Sequence, residues 1–368
     1  MFRDPTKEKE VSVSKFNLAV GEERGDSPQS TTVAYKDARK SRKKKNKVAI
    51  HIYVGSNKGG VGKSTIAYNL AWFLNARGKR VLLCDFDAQA NISCSILKNE
   101  NEIEAKYSLY DILEGNVEIS EVIGKVCEDL DVMGGNSKLS EIDYFLRSKE
   151  REENENKSFF DSNDQESDAS QIYRDTYELF KQMSVGYDFV IYDTNPENNK
   201  FNRLSMQVAD LMIIPVQAKQ SSAKAFKLTG SEFNDCFLTI DRDNSDITER
   251  IKVLYNIISP VRFNIPKEAN EEEVRAIFEK EEARERELEE VVRGMYGEHM
   301  FKEVISHSGP LAEASDVGWP LFLHSEADEF NIKEFSNFTD EVIEVCDSLE
   351  KGVKKENKGR FAFLSPRA

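Results

Sequence analysis

Lys58-Gly59-Gly60-Val61-Gly62-Lys63-Ser64-Thr65 is the stretch whose reading decides the fold. Glycines at 59, 60 and 62 let the backbone take positive φ and approach an anion closely, so that successive N–H groups converge on a phosphate. Lys63 then reaches the β and γ phosphates, the Ser64 hydroxyl is placed to hold Mg²⁺, and Thr65 opens a helix whose positive end adds to the anion site. Outward from the loop, Val48 to Val54 is a β-branched run short enough for a buried strand. On the other side, Ile66 to Ala76 sets Leu70, Ala71 and Leu74 at helical spacing. Strand, loop and helix follow in the order that phosphate binding needs. The general pattern G-x-x-x-x-G-K-[ST] has glycine where this chain has Asn57, and Lys58 adds a second lysine at the mouth of the loop.

From Val48 to about residue 350 apolar strands and helices alternate with no obvious internal linker, so the 368 residues predict one folded domain over 47–350 with appendages. That alternation predicts an α/β fold, a doubly wound, mostly parallel sheet with helices on both faces and the ligand at the carboxyl ends of its strands. A hydrophobic content of 39% is enough for a sizeable core, and a formal charge of −15 excludes a protein that coats nucleic acid with its whole surface. A local basic patch remains open. No run approaches the ~18 apolar residues of a membrane span and the N-terminus lacks a signal-peptide core, so a cytoplasmic protein is expected. The five cysteines, 84, 94, 127, 236 and 346, contain no C-x-x-C pair and suit reduced thiols, and the four dispersed histidines read as structural or surface groups.

The loop with its leading lysine resembles the deviant Walker A of the ParA/MinD superfamily, x-K-G-G-x-G-K-[ST]. Four further blocks resemble that superfamily in order. Val81 to Asn91 is similar to the strand and switch D-x-D-P-Q-x-N, with Ala88 in place of proline. Tyr187 to Pro196 resembles the Walker B strand, and Ala209 to Gln217 the strand A-D-x-x-[IL]-[IV]-P-V. Phe301 to Pro320 is similar to the late segment, retaining Leu311, Glu313, Ala314, Gly318 and Pro320. The resemblance implies a P-loop NTPase fold of deviant Walker A type and a slow, partner-stimulated ATPase.

By the same resemblance ATP and Mg²⁺ are the expected cofactors, cradled by Gly59, Gly60, Val61, Gly62, Lys63, Ser64 and Thr65. Asp193 would hold the Mg²⁺ shell through a water, and Asp87 would orient the attacking water, with Asp85 as the rival carboxylate. Asn256 would meet the adenine edge, or be an ordinary strand-end turn residue. Lys58 is the signature lysine, which the resemblance sends across a dimer interface to the partner's nucleotide, so that two subunits sandwich two ATP molecules and hydrolysis depends on pairing.

Two classes of function follow from the resemblance. One is a ParA-type ATPase for plasmid or chromosome partition, nucleoid-associated, whose ATP homodimer binds nonspecific DNA until a ParB-like adaptor stimulates hydrolysis. The other is a MinD-like membrane-associated ATPase, with ParA-like positioning of a protein cargo as a further variant. A glycine and a proline bracket too few residues near Phe361 and Leu364 for an interfacial helix, so no stable membrane anchor is expected.

Three segments depart from a compact member of the superfamily. Residues 1–46 read as a disordered polar arm with a basic end, 149–170 as an acidic solvated loop, and 267–298 as a charged helix, with 351–368 as a C-terminal tail. In that helix Glu271/Arg275, Glu282/Arg286 and Glu289/Arg293 stand four apart, and a broken apolar stripe is expected to face the domain's own core. DNA-binding relatives carry arginines after the M-x-D strand and in the I-P-R-x-x-x-L segment. Arg262 is the candidate for the first, while Ser306 to Pro310 replaces the second. The cluster Arg39, Lys40, Arg42, Lys43, Lys44, Lys45 and Lys47, just ahead of the first strand, is the candidate substitute for phosphate contacts, against the reading of a solvated tail.

Overall fold

The computed structural model describes residues 48–96, 105–156, 171–197, 199–217, 250–255, 270–306 and 308–356. Seven strands form one sheet: β1 (Ile50–Val54), β2 (Val81–Phe86), β3 (Ile123–Cys127), β4 (Leu130–Met133), β5 (Phe189–Thr194), β6 (Leu211–Val216) and β7 (Ile251–Tyr255). Their order is β3-β4-β2-β5-β1-β6-β7, parallel throughout except for the edge strand β3, which runs antiparallel to β4. The expected α/β architecture is therefore the observed one. β1 lies between β5 and β6, which puts its carboxyl end at the centre of the ligand edge.

Side-chain alternation divides the core between the two faces of the sheet. Ile50, Ile52, Val54, Val81, Leu83 and Ile191 point to one side, where they meet α1 (Lys63–Ala76), α9 (Gly309–Val317) and α10 (Glu329–Glu356). Tyr53, Leu82, Phe86, Val190 and Tyr192 point to the other, under α5 (Ile142–Asn156), α6 (Gln171–Ser184) and α7 (Lys200–Val208). There Phe86 lies 4.8 Å from Phe201 and 5.3 Å from Tyr192 between ring centroids, aromatic contacts that brace β2 and β5 from below. Short helices α2 (Asn91–Ile96), α3 (Leu109–Leu113) and α4 (Ile119–Val122) connect β2 to β3.

α1 is apolar nearly all round, and every residue from Ile66 to Leu74 is buried. Its polar exception, Asn69, donates to the Thr65 carbonyl at 3.0 Å and accepts from Leu321 N–H at 2.9 Å, so a buried amide joins α1 to the chain after α9. The retained residues of the late block have packing roles here. Leu311 and Ala314 are buried in the α1 core, Gly318 caps α9 in the left-handed conformation at φ 73°, and Ser308 caps its start by accepting from Leu311 N–H.

The boundaries differ from the sequence reading in physically informative ways. Val48 is exposed and the strand starts at Ile50, while the helix begins at Lys63, so both Lys63 and Ser64 sit in its first turn. Residues 149–156, expected to be part of an acidic loop, instead continue α5. Two carboxylates on α5 act as caps for other helices: Glu153 accepts from Gln171 and Ile172 N–H at the start of α6, and Asp143 accepts from Lys200 N–H at the start of α7. Likewise the C-terminal segment from 351 begins as helix, because α10 runs on to Glu356.

The charged segment 267–298 holds α8 (Glu271–Tyr296). Its last turns reach the core through Val292 and Tyr296, and Arg293 pairs with Glu289 while donating to the Phe301 and Lys302 carbonyls. Arg275 bonds forward to Glu279 at 3.0 Å. The side chains of Glu271, Glu282, Val274, Ile277, Phe278 and Leu288 lie outside the described ones, as do residues 157–170, Asn256, Arg262 and the Arg39–Lys47 cluster.

Candidate nucleotide site

The loop between β1 and α1 has the backbone that its glycines foreshadow. Gly60 has φ 70° and Gly62 φ 86°, left-handed values that a side chain would strain. A Cβ added to Gly59 or Gly60 would meet nothing within 4 Å, so the space over the loop is open to a ligand. Gly62 is the N-cap of α1 and carries no side chain to satisfy the first-turn N–H groups, which leaves them for an anion. Val61 is buried and anchors the loop to the protein.

Lys63 is buried at the base of this loop. Desolvation lowers its pKa, opposed by the charges of Asp193 and Asp87. The three charged groups therefore converge although they come from α1, the end of β5 and the turn after β2. Register explains the placement: Val54 and Asp85 both pair with Asp193 on adjacent parallel strands, so the carboxylates line one edge beside the loop. Asp193 is fully buried, and desolvation followed by the neighbouring Asp85 charge raises its pKa well above the ordinary carboxylate range, against a hydrogen bond from Ser64. Among the described residues its Oδ1 atom has no hydrogen-bond partner.

An orphaned buried carboxylate oxygen next to the Ser64 hydroxyl fits a hydrated Mg²⁺. Among the described residues no group of three or more His, Cys, Asp or Glu is placed to hold a metal by itself. Mg²⁺ suits such a site because it keeps several waters and shares its shell with substrate phosphates.

Asp85 and Asp87 have different environments. Asp85 is buried, and desolvation pushes its carboxyl up to about 6 despite hydrogen bonds from Ser93 and Asp87. Its Oδ2 accepts from both Ser93 N–H (2.8 Å) and Ser93 O–H (2.7 Å), and its Oδ1 from Asp87 N–H (3.3 Å). Ser93 Oγ in turn accepts from Gly135 N–H at 2.7 Å. Asp87 is partly exposed, its Oδ1 accepting from Gln89 N–H at 2.9 Å in a turn that Ala90 closes at φ 52°. The Asp85 carboxylate thus braces the turn through Ser93, while the Asp87 carboxylate sits in the same turn partly exposed.

Sequence reading passed over the residues that hold this arrangement. Gln217, at the end of β6, accepts from Lys58 Nζ and donates to the Gly60 carbonyl, both at 3.3 Å, and Ser56 Oγ accepts from Lys58 N–H. Ser93 and Gly135 tie the turn after β2 to the end of β4. The signal available for Gly135 was the Gly134-Gly135 dipeptide closing an apolar strand, a mark of close backbone approach. The segment that replaces the DNA-binding arginine also has a visible role. Ser306 donates from its N–H and its hydroxyl to Glu334 of α10, and desolvation raises the pKa of that carboxyl.

A glycine-rich phosphate loop, a buried lysine and two strand-end carboxylates on one edge of a parallel sheet define a P-loop nucleotide-binding protein. The AAA domain family matches residues 49–235, and the chain belongs to that family, within the ParA/MinD superfamily of P-loop ATPases. It is similar to the chromosome partitioning protein ParA of Caulobacter vibrioides, 25% identical over 272 residues that make up 74% of this chain and 85% of that protein. Apo McdA from Cyanothece shares the fold with a TM-score of 0.54 at 14% identity, over 80% of this chain and 99% of that one. A plasmid partition protein of Borrelia burgdorferi B31, solved with AMPPNP, does so with a TM-score of 0.52 at 19% identity and the same coverages, 80% and 99%.

Proposed function

We propose that this chain is a ParA-type ATPase of DNA partition, which pairs on binding ATP, holds nonspecific DNA as a dimer and releases it when a ParB-like adaptor stimulates hydrolysis. The observation that carries the reading is the loop's pair of lysines: Lys63 buried under the phosphate cradle, and Lys58 at its exposed mouth beside Gly59.

In this reading the residues divide the work of phosphoryl transfer to water, in which positioning and charge neutralisation dominate. Loop amides and Lys63 bind the β and γ phosphates. Ser64 and Asp193 would hold Mg²⁺, the latter through water, and the ion would neutralise charge shared by the two phosphates. Asp87 orients the attacking water from the turn that Asp85 and Ser93 brace. Lys58 supplies a cation to the nucleotide of the other subunit, as an arginine finger does, which makes hydrolysis a property of the pair. Asn256 at the adenine and the Arg39–Lys47 cluster with Arg262 at DNA phosphates complete the proposal, in a cytoplasmic, nucleoid-associated protein.

Co-sedimentation with duplex DNA and with anionic liposomes, each with ATP, ADP and no nucleotide, tests it. Pelleting with DNA only in ATP is the expected result. Pelleting with liposomes and not with DNA would replace this reading with a MinD-like one.

A further inference from the structure

Gln217 closes a bridge over the mouth of the phosphate loop. Its Oε1 accepts from the Lys58 ammonium and its Nε2 donates to the Gly60 carbonyl, so one amide bonds both the signature lysine and the loop that the lysine precedes. Gln217 is 9% exposed and follows β6 directly, and β6 pairs with β1, so its amide is held against the loop by the sheet itself. Within a single subunit the lysine is thereby drawn toward its own loop.

We propose that Gln217 is a positioning residue that retains Lys58 in cis, so that ATP-dependent pairing must first break the Lys58–Gln217 bond. The inference rests on the reading that Lys58 acts across the dimer. A lysine that serves the opposite subunit's nucleotide cannot also keep a direct bond to an amide anchored at the carboxyl end of its own β6. Gln217 sets a threshold: the free chain keeps its lysine at home, and pairing carries the cost of releasing two such contacts, one from each subunit. Because the same amide holds the Gly60 carbonyl, release of the lysine and adjustment of the cradle are linked.

The test is a double-mutant cycle in the full chain with Gln217→Met, which keeps length and removes both bonds, and Lys58→Ala. Sedimentation velocity with ATP gives the dimerisation constant, and a fluorescent ADP analogue gives nucleotide affinity. A hydrogen bond as long as 3.3 Å is worth the ordinary net value and not the charge-assisted one, about fivefold, so release of one in each subunit raises the Gln217→Met dimerisation constant roughly 25-fold. That gain should vanish in the Lys58→Ala background. An equal gain in both backgrounds, no gain, or a loss of dimer at unchanged ADP affinity would each overturn the retention idea. If Lys58→Ala alone leaves ATP-dependent pairing at wild-type strength, the trans-lysine reading itself has failed, and the two failures are separable. Thermal unfolding of Gln217→Met without nucleotide confirms that the variant is folded.

Discussion

Gly135→Ala should disable the switch while leaving the phosphate cradle in place. A Cβ at Gly135 would sit 2.8 Å from the Asp85 carbonyl oxygen, 3.1 Å from the Asp87 carbonyl oxygen and 3.2 Å from the Asp85 carboxyl carbon. Two of these atoms are backbone, flanking the carboxylate that is to orient water, and neither can rotate away. Relief requires the turn after β2 to move by several tenths of an ångström, or β4 to pull back and stretch the 2.7 Å bond from Gly135 N–H to Ser93. Overpacking of this kind costs ~1–3 kcal/mol, and a weakened buried hydrogen bond adds ~1 kcal/mol. Displacement of a water-orienting carboxylate by a fraction of an ångström to 1 Å lowers turnover up to ~100-fold. The added Cβ presses on Asp85 and Asp87 and not on the phosphate loop, so ATP affinity should fall less than turnover. Phosphate release under saturating ATP, a nucleotide-binding titration and urea unfolding measure the three quantities. Wild-type turnover at unchanged stability would refute the close-approach argument.

Asn69→Ala should lower unfolding free energy by ~2 kcal/mol, because it strands the buried Leu321 N–H that the amide now satisfies, and an unchanged urea midpoint would contradict this. Asp85→Asn should flatten the pH dependence of stability of the nucleotide-free protein between about pH 4 and pH 6. The Asp85 carboxyl goes from 3.8 in the unfolded chain to about 6 in the fold, so the folded state binds the extra proton between those values, and unfolding free energy falls by ~3 kcal/mol as pH rises through them. Asparagine does not titrate but turns an NH2 toward one of the N–H donors that the carboxylate accepts from, so in chelator-treated samples its stability should be offset and level where that of the wild type falls. Parallel stability curves would show that Asp85 does not titrate in this window. Lys63→Ala should weaken ATP binding by ~10–100-fold, the value of charge-assisted hydrogen bonds to phosphate, and retained affinity in a filter-binding assay would move the phosphates elsewhere.

The first strand, the loop and the helix after it were legible because they depend on local, periodic features. Gly60 and Gly62 announce left-handed backbone, and alternation in β1, β2 and β5 foretells which residues face α1. Asp85 and Asp193 were identifiable as strand-end carboxylates, but their adjacency is a matter of register across 108 residues of chain, which periodicity does not encode. Gln217 and Ser93 were invisible for a similar reason, since each is an ordinary polar residue whose partner comes from a different strand or loop. The acidic stretch after Leu146 misled because charge density reads as solvated loop. In fact residues 149–156 continue α5, and Glu153 uses its charge locally, on the N-terminus of α6. The late block carried a family resemblance whose visible physical content is the seating of α9 on α1 and a glycine cap.

The central claim is that ATP binding, not hydrolysis, drives pairing. Sedimentation velocity on Asp87→Ala, which should bind ATP without consuming it, tests it most directly. A monomer without nucleotide or with ADP, and a dimer of twice the 42.0 kDa chain mass with ATP and Mg²⁺, is the predicted result. A monomer under all three conditions, or a dimer that ignores nucleotide, would contradict it.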